Sequence, residues 1–169
     1  VSKTGNIMDD KERFLQGRKK AMSLLNHNDR TTWELQDRMS RAGFEEDVIA
    51  DAIAYVKSFH YLDDLRYATR FAEIYCESRS IQRIRQDLQK RHVPEEYITI
   101  ALENIDWDDS SALKKELRKI IRSRKGEEAL SYEEKQRIAA KLYRKGFRTD
   151  AIFREIDRIC ESEEESWNS

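Results

Sequence analysis

Residues 35–53 read LQDRMSRAGFEEDVIADAI, and their apolar pattern returns at residues 84–102 and 138–156. In each stretch, steps of four, five, five and four residues separate five apolar side chains. The three sets are Leu35, Met39, Phe44, Ile49 and Ile53; Ile84, Leu88, Val93, Ile98 and Leu102; and Ile138, Leu142, Phe147, Ile152 and Ile156. Steps of four keep side chains on one helix face, and the middle residue falls in the connection. Each stretch therefore predicts a short helical hairpin with an apolar residue at its corner.

The ends of the hairpin helices carry stop and start signals. Gly43 and Gly146 suit a helix C-terminus that requires positive φ, and Pro94 suits the first turn of the following helix. A hydroxyl residue stands before the first helix of every hairpin, twice with the glutamate of a capping box: Thr31 with Glu34, Ser80, and Ser131 with Glu134. These signals place the helix ends where the apolar spacing predicts them.

A longer amphipathic helix precedes each hairpin, and an apolar residue with two aspartates stands just before it. The three triplets are Met8-Asp9-Asp10, Leu62-Asp63-Asp64 and Trp107-Asp108-Asp109. An aspartate at a helix start accepts hydrogen bonds from free N–H groups and favours the positive end of the helix dipole. We therefore interpret these pairs as helix caps rather than as metal-binding or acid–base carboxylates.

The repeat predicts an all-α protein built as a tandem array of three three-helix repeats, elongated and curved. We expect the repeats at residues 11–58, 64–104 and 109–160, with flexible tails at 1–10 and 161–169. Only 5 glycines and 1 proline occur in 169 residues, too few for the turns of a sandwich or barrel of short strands.

Several classes of protein are disfavoured by what the sequence lacks. No apolar run approaches the length of a membrane span. Cys76 and Cys160 are two isolated cysteines, which favours the reducing cytoplasm over a disulfide framework. No P-loop, GxGxxG or HExxH pattern occurs, and the three histidines are scattered. We therefore expect a cytoplasmic protein that is not an enzyme and uses no metal or cofactor.

Positive charge is concentrated toward the end of the chain, where residues 111–160 carry 15 basic and 8 acidic side chains. Basic stripes at helical spacing can neutralise phosphates or contact an acidic protein surface, although solvated helix faces are the alternative. The candidate partner-binding residues are Arg79, Arg83, Arg85, Lys90, Lys115, Arg118, Lys119, Arg122, Lys125, Arg137, Lys141, Arg144, Lys145 and Arg148. No clear set of exposed aromatic residues is recognisable, which disfavours a stand-alone single-strand binder.

One string identifies a possible family. Residues 61–68, YLDDLRYA, followed by Phe71, resemble the signature of the RecX family of bacterial recombination regulators. Residues 83–88, RIRQDL, and 142–147, LYRKGF, resemble that family's second and third hairpins. The resemblance runs from about Arg18 to Ile159, with Ser80 and His92 where family members commonly have glycine. The signature residues that we expect to be structural are Leu62, Asp63, Asp64, Arg66, Tyr67 and Ala68.

The resemblance implies a negative regulator of the RecA recombinase. Such a protein binds the RecA filament on single-stranded DNA, blocks its extension and promotes its disassembly, which lowers ATPase, strand-exchange and coprotease activity. A monomer is the simplest expectation, and direct DNA contact stays open. The alternatives are an adaptor for another acidic protein and a helix-turn-helix protein that acts on duplex DNA. The candidate recognition helices are 45–58, 94–104 and 149–160. The first two carry mostly acidic residues, which argues against the helix-turn-helix alternative.

Overall fold

A computed structural model describes residues 10–105, 109–124 and 129–167, and the side chains as far as residue 161. These residues form α-helices and no strand, so the predicted all-α class is confirmed. The helices are α1 (Asp10–His27), α2 (Thr32–Arg41), α3 (Glu46–Ser58), α4 (Asp64–Tyr75), α5 (Ile81–Lys90), α6 (Glu95–Glu103), α7 (Asp109–Arg122), α8 (Tyr132–Arg144) and α9 (Thr149–Trp167). None of the helices described is long and apolar enough to cross a membrane.

The helices are distributed over two compact units. Of the described residues, those up to Arg70 together with Leu88–Ala101 form the first unit, and Phe71–Asp87 together with those from Leu102 onward form the second. Each of α4, α5 and α6 is therefore divided between the two units. The middle repeat belongs partly to one compact unit and partly to the other.

Each unit has its own apolar core. In the first unit, α1, α2 and α3 bury Ala21, Leu35, Met39, Ile49, Ala52 and Val56, joined by Leu62. In the second unit, α7, α8 and α9 bury Ala112, Leu113, Leu117, Ile138, Ala139, Leu142, Ile152 and Ile156, joined by Leu130 and Phe147. Burial of aliphatic side chains is the main stabilising contribution in both.

Most residues of the three repeated apolar sets are buried. Phe44 and Ile53 are half-buried against the first core, and the other members of the three sets are buried. The first of the two steps of five has a backbone cause, because the N–H of each corner residue donates to the carbonyl oxygen five residues earlier. These bonds are Phe44 to Met39 at 3.2 Å, Val93 to Leu88 at 3.2 Å and Phe147 to Leu142 at 3.3 Å. This is the Schellman closure of a helix, whose usual apolar contact joins the same two positions.

The residue just before each corner residue adopts positive φ, as that closure requires. Gly43 and Gly146 have φ of 86° and 89°, whereas His92 takes the same role with φ of 55°. The ring of His92 stacks on Trp33 with centroids 4.0 Å apart. Trp33 itself is 42% exposed. The stacking contact accompanies a conformation that glycine adopts more readily.

Hydroxyl caps connect successive repeats within each unit. Thr31 accepts from the N–H of Glu34 and donates to the carbonyl oxygen of Arg91 at 2.9 Å in the first unit. Ser80 accepts from the N–H of Arg83 and donates to the carbonyl oxygen of Lys145 at 2.6 Å in the second. Both hydroxyl residues are buried. One side chain therefore caps its own helix and also bonds to the corner of the next repeat.

The aspartate pairs have two roles, where the sequence predicts capping alone. Asp63 caps α4 by accepting from the N–H of Arg66 at 2.9 Å. Asp64 instead accepts from the N–H of Thr32 at 2.7 Å, and Asp109 accepts from the N–H of Ile81 at 3.2 Å. The second aspartate of the pair therefore binds the start of α2 or α5 in the preceding repeat. Asp9, Trp107 and Asp108 lie outside the described residues.

One helix end differs from the predicted boundaries. The last helix continues to Trp167, although we expect a flexible tail from residue 161. The added segment is rich in glutamate, which has good helix propensity.

Candidate partner-binding surface

The third repeat presents a group of exposed cations. Five of these exposed cations make no ion pair with any described residue. They are Lys115, Arg118 and Arg122 on α7, and Lys141 and Arg144 on α8. The buried residues Leu113 and Leu117 fix the opposite face of α7, and Ile138 and Leu142 do the same for α8. We call these five cations the free basic set. Unneutralised charge of this kind is available to an anionic partner.

Two further predicted cations are held by one carboxylate. Glu116 forms ion pairs with Lys145 and, at 3.0 Å, with Lys119, and its side chain is only 13% exposed. Burial opposes ionisation of Glu116, yet the hydrogen bonds from Lys145 and Lys119 prevail and hold its pKa below the ordinary value. Lys119 and Lys145 therefore help to organise the second unit and present less free charge than the sequence predicts.

The remaining predicted cations of the third repeat form exposed pairs. Arg137 lies 3.8 Å from Glu133, and Arg148 lies 3.1 Å from Asp150. Both arginine side chains are mostly exposed, so these pairs contribute little to stability and leave the guanidinium groups accessible. Lys125 lies outside the described residues.

In the middle repeat, two of the predicted cations form ion pairs with one aspartate. Arg79 is half-buried, donates to Asp87 at 2.8 Å and lies 3.8 Å from the ring centroid of Tyr75. Arg83 pairs with the same carboxylate at 3.3 Å. Asp87 therefore pairs with both Arg79 and Arg83 and neutralises part of the charge that these two arginines carry. Arg85 is half-buried and has an interaction within the chain, whereas Lys90 is exposed and has no described partner.

The signature residues lie mainly in packed positions. Leu62, Asp64 and Ala68 are buried. The hydroxyl of Tyr67 accepts from Nε of Arg91 at 2.9 Å within the first unit. Arg66 is exposed, and its side chain donates to the carbonyl oxygen of Tyr61 at 3.4 Å. These contacts support the expected structural role, and Arg66 remains accessible to a partner.

Sequence reasoning missed a set of exposed aromatic residues. Phe59 and Tyr61 are 56% and 53% exposed at the end of α3. Their ring centroids are 6.3 Å apart, and the ring of Tyr55 lies 5.0 Å from that of Phe59. The expectation that no such set exists is therefore wrong. Phe59 and Tyr61 fall after the amphipathic stripe ends, where periodicity gives no information about burial.

The described part of the chain contains no cluster of metal-binding side chains and two free cysteines. There, no three histidine, cysteine, aspartate or glutamate side chains are grouped so that they could hold a metal ion. Cys76 and Cys160 are free, half-buried thiols.

The fold and its surface define the class of protein as an all-helical tandem-repeat protein with a group of exposed cations in its third repeat. Models of the first, second and third three-helix domains of RecX match residues 18–62, 63–102 and 108–156. The chain belongs to the RecX family. The matched segments also confirm three three-helix repeats, whereas the predicted boundaries at 11–58, 64–104 and 109–160 stay predictions.

Individual relatives agree with this assignment. The chain is 28% identical over 152 residues to the regulatory protein RecX of Clostridium botulinum strain Eklund 17B, covering 86% of this chain and 69% of that protein. The crystal structure of RecX from Lactobacillus salivarius matches with a TM-score of 0.71 at 21% identity, over 88% of this chain and 97% of that one. A second RecX crystal structure matches with a TM-score of 0.76 at 17% identity, over 88% and 75% of the two chains. The two structures show that the fold is shared.

Proposed function

We propose that this protein is a negative regulator of the RecA recombinase. It binds the RecA filament on single-stranded DNA, blocks filament extension and promotes disassembly. ATPase, strand-exchange and coprotease activity of RecA fall as a result. The observation that carries the proposal is the match of all three repeats to RecX domains, since relatives over most of the chain are named regulatory protein RecX.

The free basic set supports a polyanionic partner. Five exposed cations on two adjacent helices of one repeat have no described carboxylate partner. A nucleoprotein filament offers both phosphates and acidic side chains, and either is attracted to such a surface. The binding must differ between filament states, because a ligand of equal affinity for both shifts no equilibrium.

Action on duplex DNA through a recognition helix receives less support. The first turns of α3 and α6 carry exposed acidic residues, Glu46 and Asp47 in one and Glu95 and Glu96 in the other. Phosphates that flank the major groove repel such helix starts.

The test is RecA's ATP hydrolysis on single-stranded DNA, with this protein added after filaments form. A progressive fall in rate at a low ratio of this protein to RecA supports capping and net disassembly. A fall only at equimolar protein indicates coating of the filament or competition for DNA. An unchanged rate, together with tight binding to bare duplex, contradicts the proposal and favours the helix-turn-helix alternative.

A further inference from the structure

Three aromatic rings form a surface row at the end of α3 in the first unit. Tyr55 and Phe59 have ring centroids 5.0 Å apart, and Phe59 and Tyr61 have centroids 6.3 Å apart. We call these three residues the aromatic row. Tyr55 is half-buried against the first core, whereas more than half of the surface of Phe59 and of Tyr61 is exposed. A water-facing ring loses the favourable burial that would otherwise explain its presence.

The backbone holds the row in a defined place. His60 adopts a φ of 58°, and the N–H of Tyr61 donates to the carbonyl oxygen of Val56 at 2.9 Å. This is the same Schellman closure that forms the hairpin corners. The next residue, Leu62, is buried, so the chain is anchored on both sides of the two exposed rings. The row is therefore preorganised, which lowers the entropic cost of binding a ligand.

Cations flank the row at both ends. The ring of Tyr55 borders a groove of about 390 Å³ whose described lining includes Arg18 and Lys19 and no carboxylate. Lys19 is exposed and has no described partner. At the other end, the guanidinium of Arg66 reaches the carbonyl oxygen of Tyr61. A ligand that covers the rings therefore meets positive charge on either side.

The carboxylate of Asp51 on α3 does not cancel this charge. Asp51 accepts two hydrogen bonds of 2.8 Å from Arg18, whose guanidinium lies 4.8 Å from the ring centroid of Tyr55. Arg18 and Asp51 thereby neutralise each other and hold Tyr55 in position. Lys19 and Arg66 supply the charge available to a ligand.

We propose that the aromatic row is a base-stacking site for single-stranded nucleic acid. Unpaired bases stack on exposed rings irrespective of sequence, and neighbouring cations bind the backbone phosphates. Bases within a duplex already stack on one another, so the row discriminates single strands from duplexes. The site lies in the first unit, apart in sequence from the free basic set, and the proposal does not depend on RecA.

An apolar protein surface is the alternative ligand of the aromatic row. Substitutions that keep or remove the aromatic ring distinguish it from a nucleic-acid base. Leucine preserves most of the apolar area of Phe59 but has no π-face, whereas tyrosine preserves the ring. A stacked base requires the ring, while an apolar protein contact accepts leucine.

The experiment measures the affinity of the full chain for a fluorescent oligo-dT 20-mer and for a duplex of the same length, by anisotropy at several salt concentrations. The double variant Phe59→Ala/Tyr61→Ala is expected to bind the single strand about tenfold or more weakly. Its duplex affinity and its slope of log K against log salt should not change, because no phosphate contact is lost. Phe59→Leu should weaken single-strand binding, and Phe59→Tyr should stay within about twofold of the wild type.

The matched control is Tyr132→Ala, which removes an even more accessible tyrosine, 77% exposed, outside the row. It should leave single-strand affinity unchanged. Thermal unfolding of each variant establishes that the fold is intact. The proposal is overturned if the wild-type chain does not bind the oligonucleotide, if the double variant binds like the wild type, or if Phe59→Leu does so. Loss of RecA inhibition by the double variant with unchanged oligonucleotide affinity would assign the row to a protein contact instead, while the function proposed above would stand.

Discussion

The hydroxyl of Ser80 donates a hydrogen bond of 2.6 Å to the carbonyl oxygen of Lys145, 65 residues further along the chain. The same oxygen of Ser80 accepts from the N–H of Arg83 and so caps α5. Thr31 makes the equivalent pair of bonds with Arg91 and Glu34 in the first unit. A helix cap and a repeat-to-repeat bond therefore depend on one oxygen atom.

Replacing Ser80 should cost more stability than replacing the corresponding residue of the last repeat. Ser80→Ala removes the cap and leaves the carbonyl oxygen of Lys145 without that donor, so we expect a loss of about 2–3 kcal/mol. Ser131→Ala removes an exposed cap only and should cost about 1 kcal/mol. Urea unfolding of the two variants measures the difference. Equal losses would show that the bond to Lys145 contributes nothing.

The two corner glycines provide a second matched comparison. Both have positive φ, but an added Cβ at Gly43 meets nothing within 4 Å, whereas at Gly146 it lies 2.8 Å from Oγ of Ser80 and 2.9 Å from Cβ of Gln82. Gly43→Ala should therefore cost about 1 kcal/mol for the backbone conformation alone. Gly146→Ala should cost about 1–3 kcal/mol more because neighbouring atoms must move. The midpoint of thermal unfolding, recorded for each alanine variant, gives the ranking, and the reverse order would contradict it.

Stability should fall in acid partly through Glu116. Its folded-state pKa lies below the ordinary value of 4.5, so its favourable contribution is present above that pH and is lost as the pH falls through the folded pKa. Glu116→Gln should lower stability at pH 7 and weaken the further loss between about pH 5 and pH 3. Denaturant unfolding across this range measures both effects.

The control for Glu116 is Glu133→Gln, which removes a carboxylate that is 82% exposed and 3.8 Å from Arg137. Its stability at pH 7 should stay within about 0.5 kcal/mol of the wild type. An identical pH profile for Glu116→Gln and the wild type would contradict this role of Glu116.

Free and paired arginines should have opposite phenotypes. The double variant Arg118→Ala/Arg144→Ala removes two exposed cations without described partners and should weaken inhibition of RecA with little change in stability. Arg79→Ala removes the bond to Asp87 and the contact with Tyr75, so it should lower stability by about 1–2 kcal/mol.

Inhibition and unfolding are measured on the same preparations of both variants. Where single-stranded DNA is the partner, each lost phosphate contact reduces the magnitude of the slope of log K against log salt by about 0.7. Full inhibition by Arg118→Ala/Arg144→Ala would rule these two cations out of the partner surface.

The sequence predicted the helices and the core because one pattern repeats three times. Each copy combines a helical step of four with the step of five that a Schellman corner imposes, as at Met39 and Phe44. Local chemistry likewise predicted the capping boxes of Thr31 and Ser131. Features formed by residues that are close in sequence, such as helix caps and corners, can be predicted without a structure.

Side-chain contacts that depend on the tertiary structure could not be predicted in this way. Nothing in the spacing shows that Asp64 accepts from the N–H of Thr32, or that Asp87 takes up the charge of Arg79 and Arg83. The exposure of Phe59 depends on how the chain turns at His60, a residue that seldom adopts positive φ. The candidate surface was therefore predicted as a list of cations, and the structure divides that list into free and neutralised members.

The hydrogen bonds that join one repeat to the next require few specific side chains in either repeat. A hydroxyl on one repeat meets a main-chain carbonyl, and a main-chain amide meets one carboxylate. No particular side chain is required at positions 91 and 145 for the hydroxyl bond itself, since both supply a backbone oxygen. For this part of its contact with a neighbouring repeat, a repeat needs only one hydroxyl, one aspartate and one corner.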